Sequence, residues 1–255
     1  MSAGAIQAAE RVLSAAGEQE LRIKALGGIG CWLHTSEHGA DARPYLREYG
    51  DVDFVLPAAG ASGLGDLMRS AGLAPVESFN ANGGATRRLY ASAETGMQVD
   101  VFIGSFAMCH EVPLEPCAFD PPTHPALSAT ELLLTKLQVV QLSDKDANDA
   151  ASLLAFHEVA GDPEAIDGQR VARLLANDWG LWRTTTENLG KLIERADQGR
   201  LPADGPTVKR HAEELTEAIE AAKKSFKWRT RAKVGDRVQW YVEPEEPVKE
   251  SIAVR

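Results

Sequence analysis

Two aspartates interrupt an otherwise strand-like apolar run, Tyr49-Gly50-Asp51-Val52-Asp53-Phe54-Val55-Leu56. Side chains alternate across a strand, so Val52, Phe54 and Leu56 share one face while Asp51 and Asp53 share the other. Carboxylates paired on one face repel each other unless a cation sits between them, which makes a metal site the economical reading. A second run, Met97-Gln98-Val99-Asp100-Val101-Phe102-Ile103, sets Asp100 opposite the apolar face of Val99, Val101 and Ile103. If these strands are sheet neighbours, their apolar residues pack on one core and Asp51, Asp53 and Asp100 converge on the far side. Three convergent carboxylates can hold two magnesium ions. Ions about 3.5–4 Å apart activate an attacking oxygen and stabilise a leaving phosphate oxygen in in-line phosphoryl transfer.

Other residues are placed to meet a phosphate. Arg22 to Leu26 reads as a short strand running into Gly27-Gly28, followed by a helix from Ile29 to Thr35. That order aims free backbone N–H groups of a helix start at whatever lies above the turn. A dinucleotide fingerprint is excluded, because its third glycine position is Leu33 and no acidic ribose binder is framed by a second parallel strand. Thr86 to Tyr90 and the Asp100 strand flank Ser92 to Gly96 as a hairpin, which sets Arg87 and Arg88 one strand from Asp100. An arginine there can bind triphosphate, and of two adjacent arginines only one can face the acids.

The second half adds a lysine and two acids. Ser128-Ala129-Thr130-Glu131 is a capping box opening a helix through about Leu142, on which Thr135 and Gln138 define the polar face and Lys136 falls among leucines and valines. A lysine is rarely buried unpaired, so Lys136 is expected to reach an anionic ligand across the interface, and Lys136→Met should leave the ligand-free protein no less stable. Asp146 stands where a helix-capping acid belongs, after Ser143, and Asp149 lies one turn on.

The elements that must position these groups fit a 255-residue chain, 44% hydrophobic, forming one large domain or two small ones. An amphipathic helix opens it (Ile6, Ala9, Val12, Leu13, Ala16), and a helix over about 60–72 separates the acid-bearing strands. Five prolines between Pro113 and Pro125 support no regular element and mark a boundary. Beyond it the pattern is helical, through roughly 168–198 and 206–226, with a short terminal strand expected at Val238 to Val242. The expected organisation is α+β, with a sheet-bearing domain over 1–112, a linker over 113–127, a helical domain over 128–232 and a tail over 233–255.

A net charge of −10 argues against a general nucleic-acid coat protein, although Lys223, Lys224, Lys227, Arg229, Arg231 and Lys233 form one basic run suited to an anionic partner or a solvated helix end. Glu10 and Arg11 break the first apolar stretch, no run reaches membrane-spanning length, and three cysteines are too few for a disulfide framework. The expectation is a cytoplasmic protein with free thiols and no membrane partner. Cys109, His110, Cys117 and His124 fit no structural-zinc spacing.

Together, Gly27-Gly28, Asp51-x-Asp53, Asp100, Lys136 and Lys145-Asp146-x-x-Asp149 resemble the motif set of the nucleotidyltransferase superfamily related to DNA polymerase beta, over about residues 20–155. The Lys-Leu at 136–137 followed by Lys-Asp-x-x-Asp is most similar to the AbiEii-like branch, which includes toxins of toxin–antitoxin systems. The resemblance implies a nucleotidyltransferase-type mixed sheet with flanking helices ahead of the helical domain. It implies that Asp51, Asp53 and Asp100 hold two Mg2+ ions, and that Gly27, Gly28 and Lys136, with Arg87 or Arg88, Asp146 and Asp149 nearby, bind a nucleoside triphosphate such as ATP. The acceptor is RNA such as a tRNA end, a protein or a small molecule, and an antitoxin protein is a further partner. Aminoglycoside and lincosamide adenylyltransferases also begin with a glycine pair and a Trp-containing helix, as in Gly27 to Trp32 here; a non-catalytic nucleotide-binding regulator is the remaining alternative. Two departures stand out: an insertion around Glu37 to Tyr45, and Gly50 where that branch often has serine.

Overall fold

The computed structural model describes residues 3–114, 116–119, 124–162 and 164–243. It is mixed α and β, with ten α-helices, a five-stranded sheet and a two-stranded one among the described residues. Helix α1 (Ala3–Glu18) buries a small-residue face, Ala5, Ala8, Ala9, Val12, Ala15 and Ala16, with Ile6 and Leu13 at its edges. Alanines lower the profile of that face, so the helix lies close against its neighbours. Strand β1 (Lys24–Leu26) turns directly into α2 (Gly27–Ser36), which begins two residues earlier than expected because Gly27 adopts φ +60 and makes the turn itself.

Strand β2 (Val52–Leu56) leads through α3 (Leu64–Ser70), β3 (Ala74–Pro75) and α4 (Glu77–Gly83) into the hairpin of β4 (Arg87–Ala91) and β5 (Gln98–Ile103). The sheet order is β1-β2-β5-β4-β3, with β2 and β5 parallel and the remaining pairs antiparallel. The acid-bearing strands are therefore neighbours, as the shared apolar alternation requires. Strands β6 (Ser105–Ala107) and β7 (Glu111–Pro113) form a small separate hairpin.

The proline-rich stretch is more ordered than its composition suggests. A 3-10 turn spans Pro116–Phe119, and Ala126 pairs with Ala25 at the free edge of β1 through Ala25 N–H to Pro125 O (2.9 Å) and Leu127 N–H to Ala25 O (3.0 Å). Proline lacks a donor but keeps its carbonyl, so Pro125 can still accept at a sheet edge.

The helices α5 (Ala129–Leu137), α6 (Asp144–Phe156), α7 (Gly168–Leu175), α8 (Trp179–Asp197), α9 (Gly205–Ala221) and α10 (Phe226–Val234) follow. Every residue of α5 is buried, with α2, α6, α7 and α8 packed against it. The polar face expected at Thr135 and Gln138 is not solvated. The Thr135 hydroxyl donates to Leu132 O, and Gln138 Oε1 accepts from His110 N–H. Local periodicity cannot reveal that a helix is covered on all sides. Only half of the capping box forms: Ser128 Oγ accepts from Glu131 N–H, while the Glu131 carboxylate takes Arg170 Nε at 2.9 Å. No strand forms at Val238 to Val242; Val242 N–H to Cys109 O, Arg231 Nη2 to Val238 O and Trp240 Nε1 to Thr184 Oγ1 tie that segment down. Among the described residues no helix is long and apolar enough to cross a membrane.

One apolar cluster joins the sheet (Phe54, Val101) to the helices (Leu132, Leu153, Leu189). Helix α2 is the joint, and Gly30 permits it. A Cβ there would meet Leu132 Cδ2 at 2.8 Å and the Ala25 carbonyl oxygen at 3.0 Å. Gly30→Ala should destabilise the fold by about 1–3 kcal/mol through overpacking. Gly65→Ala, in open space on α3, should stabilise it by about 0.5–1 kcal/mol. Urea unfolding of the two variants beside wild type checks both signs.

Candidate functional site

Asp53 and Asp100 are register partners on the parallel strands β2 and β5, so their side chains emerge side by side on one face. Asp51 lies just before β2 and is exposed, Asp53 is partly buried and Asp100 is buried. Gly27, the first residue of α2, lies against Asp53, and a Cβ there would overlap its carboxylate. The N-cap residue, Leu26, has no side chain able to cap the helix, so its first-turn N–H groups and the positive end of its dipole face the acids. Gly28 is roofed by Arg47 and Tyr49, where a Cβ would come within 2.5 Å of Arg47 Nη2 and 3.0 Å of Tyr49 Cδ1.

Burial, then the charges of Asp51 and Asp100, push the Asp53 carboxyl up to about 7, against the opposing pull of Lys136 and Arg87. An acid held there is short of positive charge at neutral pH, the condition a cation relieves. The oxygens of Asp100 are engaged. Arg87 Nε donates to both, at 3.0 Å each, and Nη2 makes a further ion pair, while the guanidinium lies over Phe79 and Phe102. Among the described residues no three His, Cys, Asp or Glu donors converge as a ready metal cage. Register thus pairs Asp53 with Asp100, while Asp51 lies one residue outside the paired stretch.

Arg88 does not join the acids. Its Nε donates to Gly84 O at 2.8 Å and its Nη1 to Ala61 O at 3.3 Å, because the next residue along a strand points to the other face. Lys136 is also placed differently from its expectation. It is buried but paired, with Asp146 Oδ1 at 3.0 Å and Asp149 Oδ2 at 2.9 Å. Burial draws the Lys136 ammonium down, and Asp149 foremost among its neighbours more than offsets this, so its pKa is raised. Asp146 also keeps its capping position, accepting from the Ser143 hydroxyl at 2.7 Å while Ser143 Oγ accepts from Asp146 N–H. Burial raises the Asp146 carboxyl and Lys136 more than reverses it, leaving it lowered.

Arg47, which carries no motif, completes this second cluster with a two-pronged contact to Asp149 (2.9 and 2.7 Å), and its guanidinium lies 4.6 Å from the Tyr49 ring centre. Its role was not legible because the partners are about a hundred residues apart in sequence. Cys31, one turn along α2, is a free buried thiol whose pKa burial and then Asp149 raise. Cys109 is likewise free, while the Cys117 side chain lies outside the described residues. Searched against protein-family models and curated proteins, the sequence matches none.

The pairing of Lys136 reverses the stability expected of its removal. Lys136→Met leaves Asp146 and Asp149 without their ammonium, and losing one partner of a buried ion pair costs about 3–5 kcal/mol. With Arg47 still on Asp149, the lower end of that range is expected from urea unfolding.

Asp53 gives a pH signature. Its folded pKa lies above the ordinary 3.8, so the stability it contributes is fully present below that value and is lost as pH rises through about 7. Wild type should weaken from about pH 4 to about pH 8 more than Asp53→Asn, which stays uncharged throughout. Parallel pH–unfolding curves would show it, and identical slopes would remove Asp53 as the cause.

Proposed function

We propose that the chain is a magnesium-dependent nucleotidyltransferase, moving a nucleoside monophosphate from a nucleoside triphosphate to a hydroxyl acceptor with release of pyrophosphate. The observation that carries this reading is the pairing of Asp53 with Asp100 on two parallel strands, Asp53 lying against Gly27 at the start of a helix with no side-chain cap.

The donor set fits the ion in type, since carboxylate oxygens are hard ligands and Asp53 is raised by burial and by the charges of Asp51 and Asp100. Asp51 and Asp53 would hold both ions, with Asp100 completing the set. Bound magnesium would supply positive charge to the transferring phosphoryl group and to the leaving oxygen. Asp100 would exchange Arg87 for this role and accept the proton of the attacking hydroxyl, and the displaced guanidinium would turn to the phosphates. The first-turn N–H groups at Gly27 and Gly28 would bind phosphate oxygens. Lys136, fixed by Asp146 and Asp149, would act on the site through its charge rather than as a free clamp.

The acceptor classes are RNA, a protein and a small hydroxyl compound. For RNA the candidate surface is α10, which has no buried residue and presents Lys227, Arg229 and Lys233 beside an exposed Phe226. Arg231 is less available, donating to Gly235 O and Val238 O and lying 4.5 Å from the Trp179 ring centre.

A second reading, a nucleotide-binding regulator without catalysis, is favoured by one observation. Arg87, Lys136 and Arg47 already neutralise Asp100, Asp146 and Asp149. Labelled ATP, GTP, CTP and UTP, screened with magnesium against RNA, proteins and small hydroxyl compounds, should give transfer from wild type and none from Asp53→Asn, with the variant still folded. Transfer undiminished in Asp53→Asn would sink the site as drawn. Calorimetric nucleotide binding that ignores magnesium, without transfer, would establish the regulator instead.

A further inference from the structure

Away from the acids, His34, His38, His124 and His157 line a cavity of about 390 Å³ together with rim acids that include Glu37 and Glu158. His34 Nδ1 and His157 Nε2 face each other at 3.1 Å. The opposite nitrogen of each ring fixes its tautomer. His34 Nε2 lies 2.8 Å from Leu127 O, and His157 Nδ1 lies 3.1 Å from Leu153 O. A carbonyl oxygen only accepts, so both of these nitrogens carry the proton. The two nitrogens that face each other are then both bare lone pairs. Such a contact is repulsive unless a cation lies between them.

Either a shared proton or a metal ion would satisfy the pair, and three features of the surroundings suit a metal. Imidazole–metal bonds of about 2.0–2.1 Å spanning the observed separation give an angle of roughly 100° at the ion, an ordinary value for adjacent ligands. His34 lies in the last turn of α2 and His157 is the C-cap of α6, so the negative ends of two helix dipoles meet at the pair. Each ring is also oriented by a carbonyl on its outer nitrogen, the support that metal-binding histidines usually have.

We propose that His34 Nδ1 and His157 Nε2 form a binding site for a divalent transition-metal ion of the zinc class, separate from the acids at the opposite end of α2. Among the described residues no third side-chain donor completes the set, so water fills the remaining positions. Glu37, an exposed carboxylate on the cavity rim, lies 3.8 Å from His124 Nε2. His124 is not a ligand. It stacks on His34 with ring centres 4.0 Å apart, and its Nδ1 accepts from Ala126 N–H.

The test is titration of tag-free protein with Co2+ and Zn2+ in excess magnesium, which occupies oxygen-rich sites. One Co2+ per chain with nitrogen-ligand visible bands, displaced by Zn2+, is expected, together with a Zn2+-dependent rise in Tm. Both signals should be lost in His34→Gln and in His157→Gln and retained in Asp53→Asn. Either glutamine variant suffices if the other does not fold. The absence of both signals from wild type overturns the proposal, as does their persistence in the glutamine variants. Nitrogen NMR showing a shared proton on the pair that Zn2+ leaves unchanged also overturns it.

Discussion

Asp53 and Asp100 stand side by side on adjacent parallel strands, and the surrounding structure is arranged around the cost of that placement. Two carboxylates a strand spacing apart, one buried and one partly so, cannot both remain ionised without positive charge close by. The molecule supplies it from three directions. Arg87 reaches from β4 onto Asp100, the start of α2 faces Asp53, and the Lys136 charge acts from α5. Each source belongs to a different layer, so the acids also fix how strand, loop-proximal helix and helical layer meet.

The helix α2 carries most of this mechanical burden. Its glycines allow three approaches that a side chain would block: the Asp53 carboxylate at Gly27, the Arg47 and Tyr49 roof at Gly28, and the α5 leucine with the β1 backbone at Gly30. Beside it runs α6, whose first turns hold Asp146 and Asp149 on Lys136 and Arg47. The two helices start at one ionic site and end together at the histidines, so negative groups meet their N-terminal ends while their C-terminal ends favour a cation. A single pair of packed helices thereby gives the molecule two electrostatically opposite poles.

The ion pairs around Lys136 also give the acids of α6 two uses at once. Asp146 caps its own helix through Ser143 while holding the lysine, and Asp149 binds both Lys136 and Arg47. A buried ammonium so held is a fixed source of field. Its geometry is set before any ligand arrives, which is the arrangement that makes electrostatic stabilisation effective.

Short-range pattern was enough to mark the two acid-bearing strands, the glycine turn into a helix, the arginine hairpin and the serine-capped helices, because period, turn chemistry and capping act over a few residues. The choice between Arg87 and Arg88 needed the register of β4 against β5, since one residue of slip exchanges the faces. The total burial of α5, the pairing of Lys136 and the arrival of Arg47 were beyond local reading, because each depends on groups brought together from remote parts of the chain. The same holds for His34 and His157, which are 123 residues apart in sequence and nitrogen to nitrogen in the fold. Residue order set which side chains were available; tertiary packing decided which charges were already paired and which ring nitrogens face each other.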